Sequence, residues 1–257
     1  MVVGWSWCFA VDKFGDHMAK RALKQLAQHS LRLADLEVTR VGNVPRFDLF
    51  FRNLRAYGLT PKTVYDVGVN TGTPDLYDAF PSAKFTLFDP SRASLPYMKE
   101  LNAKRGFGYF NVALGDKDEQ GQLNEYPADP GTSSLIHGAS NAANHPVQVC
   151  RFDSLVSSIS CPALMKVDAQ GYELEVLHGV GRFLTEIDFY IIESGTMPPH
   201  PEEAAFDRIH DLMRSAGYCL HEIVGIIRRP LDGAMTHFDA VYVKTGSPLR
   251  SDRSWGS

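Results

Sequence analysis

Asp168 stands where the apolar run Leu164-Met-Lys-Val gives way to Ala169-Gln-Gly171 and then to a helical pattern with Glu173 in its first turn. A carboxylate there, at the end of a buried strand and ahead of a glycine turn, is placed to take a proton, share a cation or accept backbone N–H groups. Glu193 closes the next apolar run, and His237 precedes the last one in Thr236-His-Phe-Asp239. Asp168 and Glu193 are expected to end adjacent strands and to face one cleft, which His237, and His200 in the loop 194–201, could also reach. Two carboxylates a few ångströms apart repel, which raises one pKa towards neutrality and makes a base; alternatively they share a divalent ion, with His237 or Asp239 completing its shell. Neither strand end offers a compact cluster of ligands. The base is therefore preferred to the metal, no residue is assigned to a metal, and Asp168 is taken as the actor. The plainer alternative has Asp168 accepting N–H bonds at the turn while Glu193 pairs with a nearby basic side chain.

A second set of residues suits a nucleoside. Val64-Tyr-Asp-Val-Gly-Val-Asn-Thr-Gly72 runs a strand into a glycine turn and then a helix. Gly68 and Gly72 let the backbone approach a ligand closely, and the helix N-terminus offers unpaired N–H groups to an anion. Asn70 and Thr73 stand where the dinucleotide fingerprint Gly-x-Gly-x-x-Gly requires its second and third glycines, so a pyrophosphate-binding dehydrogenase loses ground. Asp89, in Phe85-Thr-Leu-Phe-Asp-Pro-Ser91, lies 23 residues beyond Asp66 at the end of the second strand. In an open α/β sheet that is where a carboxylate grips the two hydroxyls of a ribose. Asn111-Val-Ala-Leu-Gly-Asp116 is expected to bring Gly115 and Asp116 to the same edge, beside an adenine. The cofactor-binding set is thus Asp66, Gly68, Asn70, Gly72, Asp89, Gly115 and Asp116.

The elements that position these residues alternate. Short β-branched or aromatic runs predict strands at Thr63 to Val69, Lys84 to Asp89, Gly108 to Leu114, Ala163 to Asp168 and Asp188 to Glu193, with helices in most of the gaps. One helix starts at Gly171 and carries Leu174, Leu177, Val180 and Leu184 on one face; another runs from about Glu202 to Ala216 and stops at Gly217. Tyr218 to Ile223 and Phe238 to Lys244 close the domain as an antiparallel pair. This is the pattern of an α/β fold with a mostly parallel sheet covered on both faces. The long insertion from about Gln120 to Arg151 is expected to hold a hairpin near Gly121 to Tyr126 and a loop at Thr132 to Ser140 facing the ligand. Helices at Asp16 to Arg40 and Phe47 to Tyr57 precede the first strand and are read as a cap or an oligomer surface. The expected division is an N-terminal helical cap or docking segment (1–60), a catalytic domain (61–245) and a flexible tail (246–257).

Composition bounds the rest. With 257 residues and 44% hydrophobic content the chain can bury a substantial core, which excludes a small disulfide-stapled scaffold. A net charge of −4 provides no global positive field to grip a phosphate backbone, so nucleic acid is not the expected partner. Cys8, Cys150, Cys161 and Cys219 are scattered without metal-finger spacing, as suits free thiols in a reducing compartment, and the expected location is cytoplasmic. Val2 to Val11 is apolar but lacks a basic start and falls short of a transmembrane span, so it reads as a docking segment.

From about Phe50 to Thr245 the sequence resembles the FkbM family of S-adenosylmethionine-dependent methyltransferases. The resemblance is carried by Pro61-Lys-Thr-Val-Tyr-Asp-Val-Gly-Val-Asn-Thr-Gly72, Asp89-Pro90, Ala113-Leu-Gly-Asp116, Ser133-Ser-Leu135 and above all Lys166-Val-Asp-Ala-Gln-Gly-Tyr-Glu-Leu-Glu-Val-Leu-His-Gly179. It implies a class I methyltransferase (Rossmann-like) fold, S-adenosyl-L-methionine as cofactor, and methyl transfer to a hydroxyl of a saccharide or secondary metabolite. Many relatives have Asp-Val-Glu-Gly where this chain has Asp168-Ala-Gln-Gly171, and Gln170 removes one charge that a metal ligand or base would need. Transfer to a planar nitrogen would call for an Asn/Asp-Pro-Pro-Tyr-type segment after the fourth strand, and none stands there. The competing expectation is a cofactor-binding but catalytically silent regulatory or assembly subunit, and a homo-oligomer could form through the N-terminal helices.

Overall fold

The computed structural model describes residues 44–126, 133–136, 143–197, 203 and 205–255. All of these except Val44 belong to the compact unit Pro45–Ser257. The expected docking segment at Val2 to Val11, the helix at Asp16 to Arg40, His200 and most of the loop Thr132 to Ser140 lie outside the described residues.

In chain order the unit runs α1 (Phe47–Ala56), β1 (Thr63–Val67), α2 (Pro74–Ala79), β2 (Lys84–Phe88), α3 (Leu95–Arg105), β3 (Gly108–Phe110), β4 (Ala113–Leu114), β5 (Glu119–Glu125) and β6 (Ala143–Cys150). It continues through α4 (Phe152–Leu155), β7 (Ala163–Val167), α5 (Glu173–Val180), β8 (Phe189–Gly195), α6 (Phe206–Ser215), β9 (Tyr218–Arg228) and β10 (Met235–Lys244). Seven strands form one sheet in the order β3-β2-β1-β7-β8-β10-β9. Its first five strands are parallel, while β10 runs antiparallel to both β8 and β9.

Strands β1 and β7 are buried along their whole length because helices cover both sheet faces. Alternation assigns each residue to a side. Val64, Leu87, Leu164 and Ile191 pack with Leu54, Leu76 and Met98 from α1, α2 and α3, whereas Tyr65, Met165, Tyr190 and Tyr242 pack with Phe152, Leu177 and Met213 from α4, α5 and α6. The turn after β1 drops directly into the carboxyl edge, where Gly68 at φ +78° donates its N–H to the Phe88 carbonyl at 2.9 Å.

Four expectations change in detail. The single strand predicted from Gly108 to Leu114 is broken at Asn111, whose Nδ2 donates to the carbonyls of Asp89 (2.7 Å) and Ser91 (3.2 Å), so the loop after β2 is tied down at that break. Beyond the break, β4 joins a separate three-stranded sheet, β4-β6-β5; of the short hairpin expected near Gly121 to Tyr126, Gly121 to Glu125 lie instead in the single strand β5, which pairs antiparallel with β6. Helix α1, expected in the cap, buries Phe50, Phe51 and Leu54 in the core beneath β1 because its apolar face has that partner available. The tail is partly anchored: Ser247 caps a short 3-10 turn at Pro248–Arg250, and Arg250 Nη1 donates to the Leu220 carbonyl at 3.3 Å.

Candidate active site

A concave cleft opens at the carboxyl ends of β1, β2 and β7. One end is built around Asp89. Its Oδ2 accepts the Asn70 N–H at 2.8 Å and its Oδ1 accepts the Ser91 N–H at 2.8 Å, so the loops after β1 and β2 fix the carboxylate from both sides. Burial raises its pKa against the lowering effect of those two N–H groups. Asn70 holds a left-handed backbone at φ +48°, an uncommon conformation for a residue with a Cβ, and this brings its N–H to Asp89.

The middle of the cleft is apolar. Phe88, Leu114, Leu123, Leu135, Tyr172 and Val176 line it, which suits a flat heterocycle. Leu123 and Leu135 come from the insertion. That segment is pinned at both ends of the cleft, through a hydrogen bond from Ser91 Oγ to Glu125 and through Ser134 Oγ donating to the Gln170 carbonyl at 2.8 Å.

The other end is the turn after β7. Asp168 N–H donates to the Val67 carbonyl at 3.0 Å, and a Cβ added at Gly68 would fall 1.7 Å from the Asp168 carbonyl oxygen, so the turns after β1 and β7 touch at a point only glycine fits. The Asp168 side chain is held by Lys166 Nζ on Oδ2 (2.8 Å) and by Gln170 Nε2 on Oδ1 (2.8 Å). Gln170, also left-handed at φ +50°, donates in addition to Glu193 Oε2 at 3.1 Å. The two carboxylates therefore do converge on one place, as expected from adjacent strand ends.

Their electrostatics differ from the expectation. Burial alone would raise Asp168, but the Lys166 ammonium outweighs it and holds Asp168 below the ordinary carboxylate value. Burial together with the Asp168 charge pushes Glu193 far above that value. The proton therefore rests on Glu193, not on Asp168, and the physical reason is Lys166. The backbone N–H groups of the turn are taken by Glu173, whose Oε1 accepts Ala169 N–H (2.8 Å) and Gly171 N–H (3.1 Å); burial pushes its carboxyl up to about 7.

On β10, His237 and Asp239 stand opposite Gly195 and Glu193 of β8. Burial lowers the His237 pKa, with Asp168 acting in the opposite sense, and His237 Nε2 lies 4.0 Å from Glu203 Oε2. Burial pushes Asp239 up to about 6. Among the described residues no group of three or more His, Cys, Asp or Glu side chains is gathered closely enough to hold a metal ion.

Of the residues singled out for a cofactor, Gly68, Asn70 and Asp89 line the cleft. Asp66 is fully buried behind that lining, accepting from Tyr77 Oη at 2.6 Å and Thr73 Oγ1 at 3.1 Å. Gly72 packs against the Tyr77 ring. Gly115 fits between Val149, Tyr172 and Gly179 of α5, and the Asp116 carbonyl accepts Arg151 Nη1 at 2.8 Å. Gly115 and Asp116 directly follow Val112, Ala113 and Leu114, which line the cleft. The sequence reading missed Lys166, although a lysine inside a five-residue apolar strand is a conspicuous signal. It also missed Ser134 as the link to Gln170.

Residues 66–220 match the family model described as the methyltransferase FkbM domain. The hexuronic acid methyltransferase AglP of Haloferax volcanii is 26% identical over 132 residues, which cover 51% of this chain and 54% of that protein, so the chain spans about half the length of this curated relative. Among solved structures, magnesium protoporphyrin IX methyltransferase from Synechocystis PCC 6803, with bound SAM, superposes with a TM-score of 0.44 at 12% identity, covering 77% of each chain. The 1,6-didemethyltoxoflavin-N1-methyltransferase of Burkholderia thailandensis, with bound S-adenosylhomocysteine, gives 0.40 at 13% identity, covering 95% of this chain and 92% of that one.

Proposed function

The chain belongs to the FkbM methyltransferase family, and on that premise we propose that it transfers a methyl group from S-adenosylmethionine to a hydroxyl oxygen of a saccharide or secondary metabolite. The observation that carries this reading is one cleft with Asp89 at one end and the Asp168-Gln170 turn at the other, along the carboxyl edge of β1, β2 and β7. The cofactor supplies a methyl group already activated on a sulfonium. Its ribose hydroxyls match the Asp89 carboxylate, its adenine matches the apolar stretch between Phe88, Leu135 and Tyr172, and its methionine part matches the Gly68 to Asn70 turn. Asp66, Gly72, Gly115 and Asp116 then serve behind this lining, shaping the loops.

The residues around Asp168 deal with the acceptor. Catalysis of this kind is largely positional, since the oxygen must be held in line with the group it attacks. Asp168 stays ionised, and its charge favours the imidazolium that forms when the incoming hydroxyl gives up its proton. His237 is neutral near pH 7 and takes the proton, while Glu193 keeps its own and is held beside Asp168 by Gln170. A saccharide is favoured because the relative AglP is described as acting on a hexuronic acid. An oxygen acceptor is favoured because the turn after β7 reads Asp168-Ala-Gln-Gly171.

Methyl-labelled S-adenosylmethionine added with the protein to extracts of the source organism, followed by mass spectrometry of the labelled product, tests the proposal. An O-methyl ether is expected. An N-methyl or C-methyl product contradicts it, and tight cofactor binding without any labelled product would instead support a silent regulatory or assembly subunit.

A further inference from the structure

We propose that Lys166 is the positioning residue of this site: from within β7 it fastens the Asp168 carboxylate at the cleft edge, opposite Asp66 on the neighbouring strand. Strand β7 is buried throughout, so a leucine or methionine would fit at this position without any charge to desolvate. The lysine is there instead, 6% exposed, with its Nζ 2.8 Å from Asp168 Oδ2. A buried ammonium persists only where carboxylates compensate it, and the sheet provides them on several sides.

Asp66 faces Lys166 from β1, directly opposite in register and fully buried, with Oδ1 lacking a hydrogen-bond partner. Asp168 lies at the end of its own strand, and Asp239 acts on it from β10. Asp168 in turn is hydrogen-bonded to Lys166, Gln170 and Glu193 from β8, and its charge reaches Glu173 from α5 and His237 and Asp239 from β10. Lys166 is thus a cation hydrogen-bonded to Asp168 and within electrostatic reach of Asp66 and Asp239. Gln170 occupies the other Asp168 oxygen, so the carboxylate has a single orientation as well as a lasting charge. The use made of that charge rests on the proposed methyl transfer; the clamp does not.

The test uses the full chain with 13C-labelled aspartate carboxyls, the Asp168 signal being assigned by its loss in Asp168→Asn. In the wild type that signal should stay unshifted from pH 8 down to about pH 4. In Lys166→Met its midpoint should move up by at least two pH units, and Lys166→Arg should restore most of the original behaviour. If Lys166→Met does not fold, Lys166→Met combined with Asp168→Asn removes both charges together and should fold, melting well above the single variant. The same Asp168 midpoint in Lys166→Met and wild type overturns the proposal, as does a double variant that melts no higher than Lys166→Met. Neither readout requires a methyl acceptor, so failure here is distinguishable from failure of the methyl-transfer reading.

Discussion

At the scale of single residues, charge is controlled by a few neighbours, some close in sequence and some far from it. Asp89 and Asp168 each end a strand ahead of a turn, and both positions were legible from the sequence. Their states were not, because Asp89 is fixed by N–H groups from two different loops and Asp168 by a lysine two residues back whose partner strand is distant in sequence. His237 is expected to act as the base. His237→Asn should lower kcat by roughly 10²–10⁴-fold with little change in cofactor affinity. Because burial lowers its pKa, the acidic limb of the wild-type kcat profile should fall below the ordinary histidine value of about 6.5. A limb at or above that value would take the proton acceptor away from His237. Gly68→Ala should disrupt the site outright, since both the positive φ and the Asp168 carbonyl 1.7 Å from the added Cβ oppose it. The expected result is loss of cofactor binding together with a lower melting temperature.

At the scale of elements, periodicity predicted most of the parallel sheet and the helices that cover it. It failed where side-chain hydrogen bonds override strand propensity, as at Asn111, and where an element's partner is far away, as for α1. An amphipathic helix ahead of the first strand reads equally as a cap or as core. Only the pocket beneath β1, closed by Phe189 and Phe80 around Phe50 and Phe51, decides between them. Phe50→Ala should therefore cost about 3–5 kcal/mol in chemical denaturation, a value out of reach for a helix on an exposed surface. The insertion acts as a bracket across the cleft, so its two attachments should separate by readout. Ser134→Ala frees the Gln170 turn and should lower kcat while changing cofactor affinity less than threefold. Glu125→Ala frees Ser91 and should weaken cofactor binding instead. Equal effects of both variants on both readouts would mean that the small sheet moves as one body.

At the scale of the whole molecule, the buried carboxylates make stability depend on pH in a definite direction. Glu173 at about 7 and Asp239 at about 6 both lie above their unfolded values near 4. Such groups stabilise the fold fully below about pH 4, and that contribution is lost as pH rises through 6 and 7. The melting temperature should fall between pH 5 and pH 8, and Glu173→Gln should remove a component on the order of 3 kcal/mol from that fall. A rise over the same interval would place the protons elsewhere. No helix among the described residues is long and apolar enough to cross a membrane. The central claim, that one cleft between Asp89 and Asp168 takes S-adenosylmethionine, is tested most directly by isothermal titration calorimetry of that cofactor against the wild type and Asp89→Ala. Charge-assisted bonds to ribose hydroxyls contribute about 1.5–3 kcal/mol each, so the wild type should bind one equivalent and Asp89→Ala at least about tenfold more weakly, with the fold unchanged. No binding by the wild type, or equal affinity in Asp89→Ala, would contradict it.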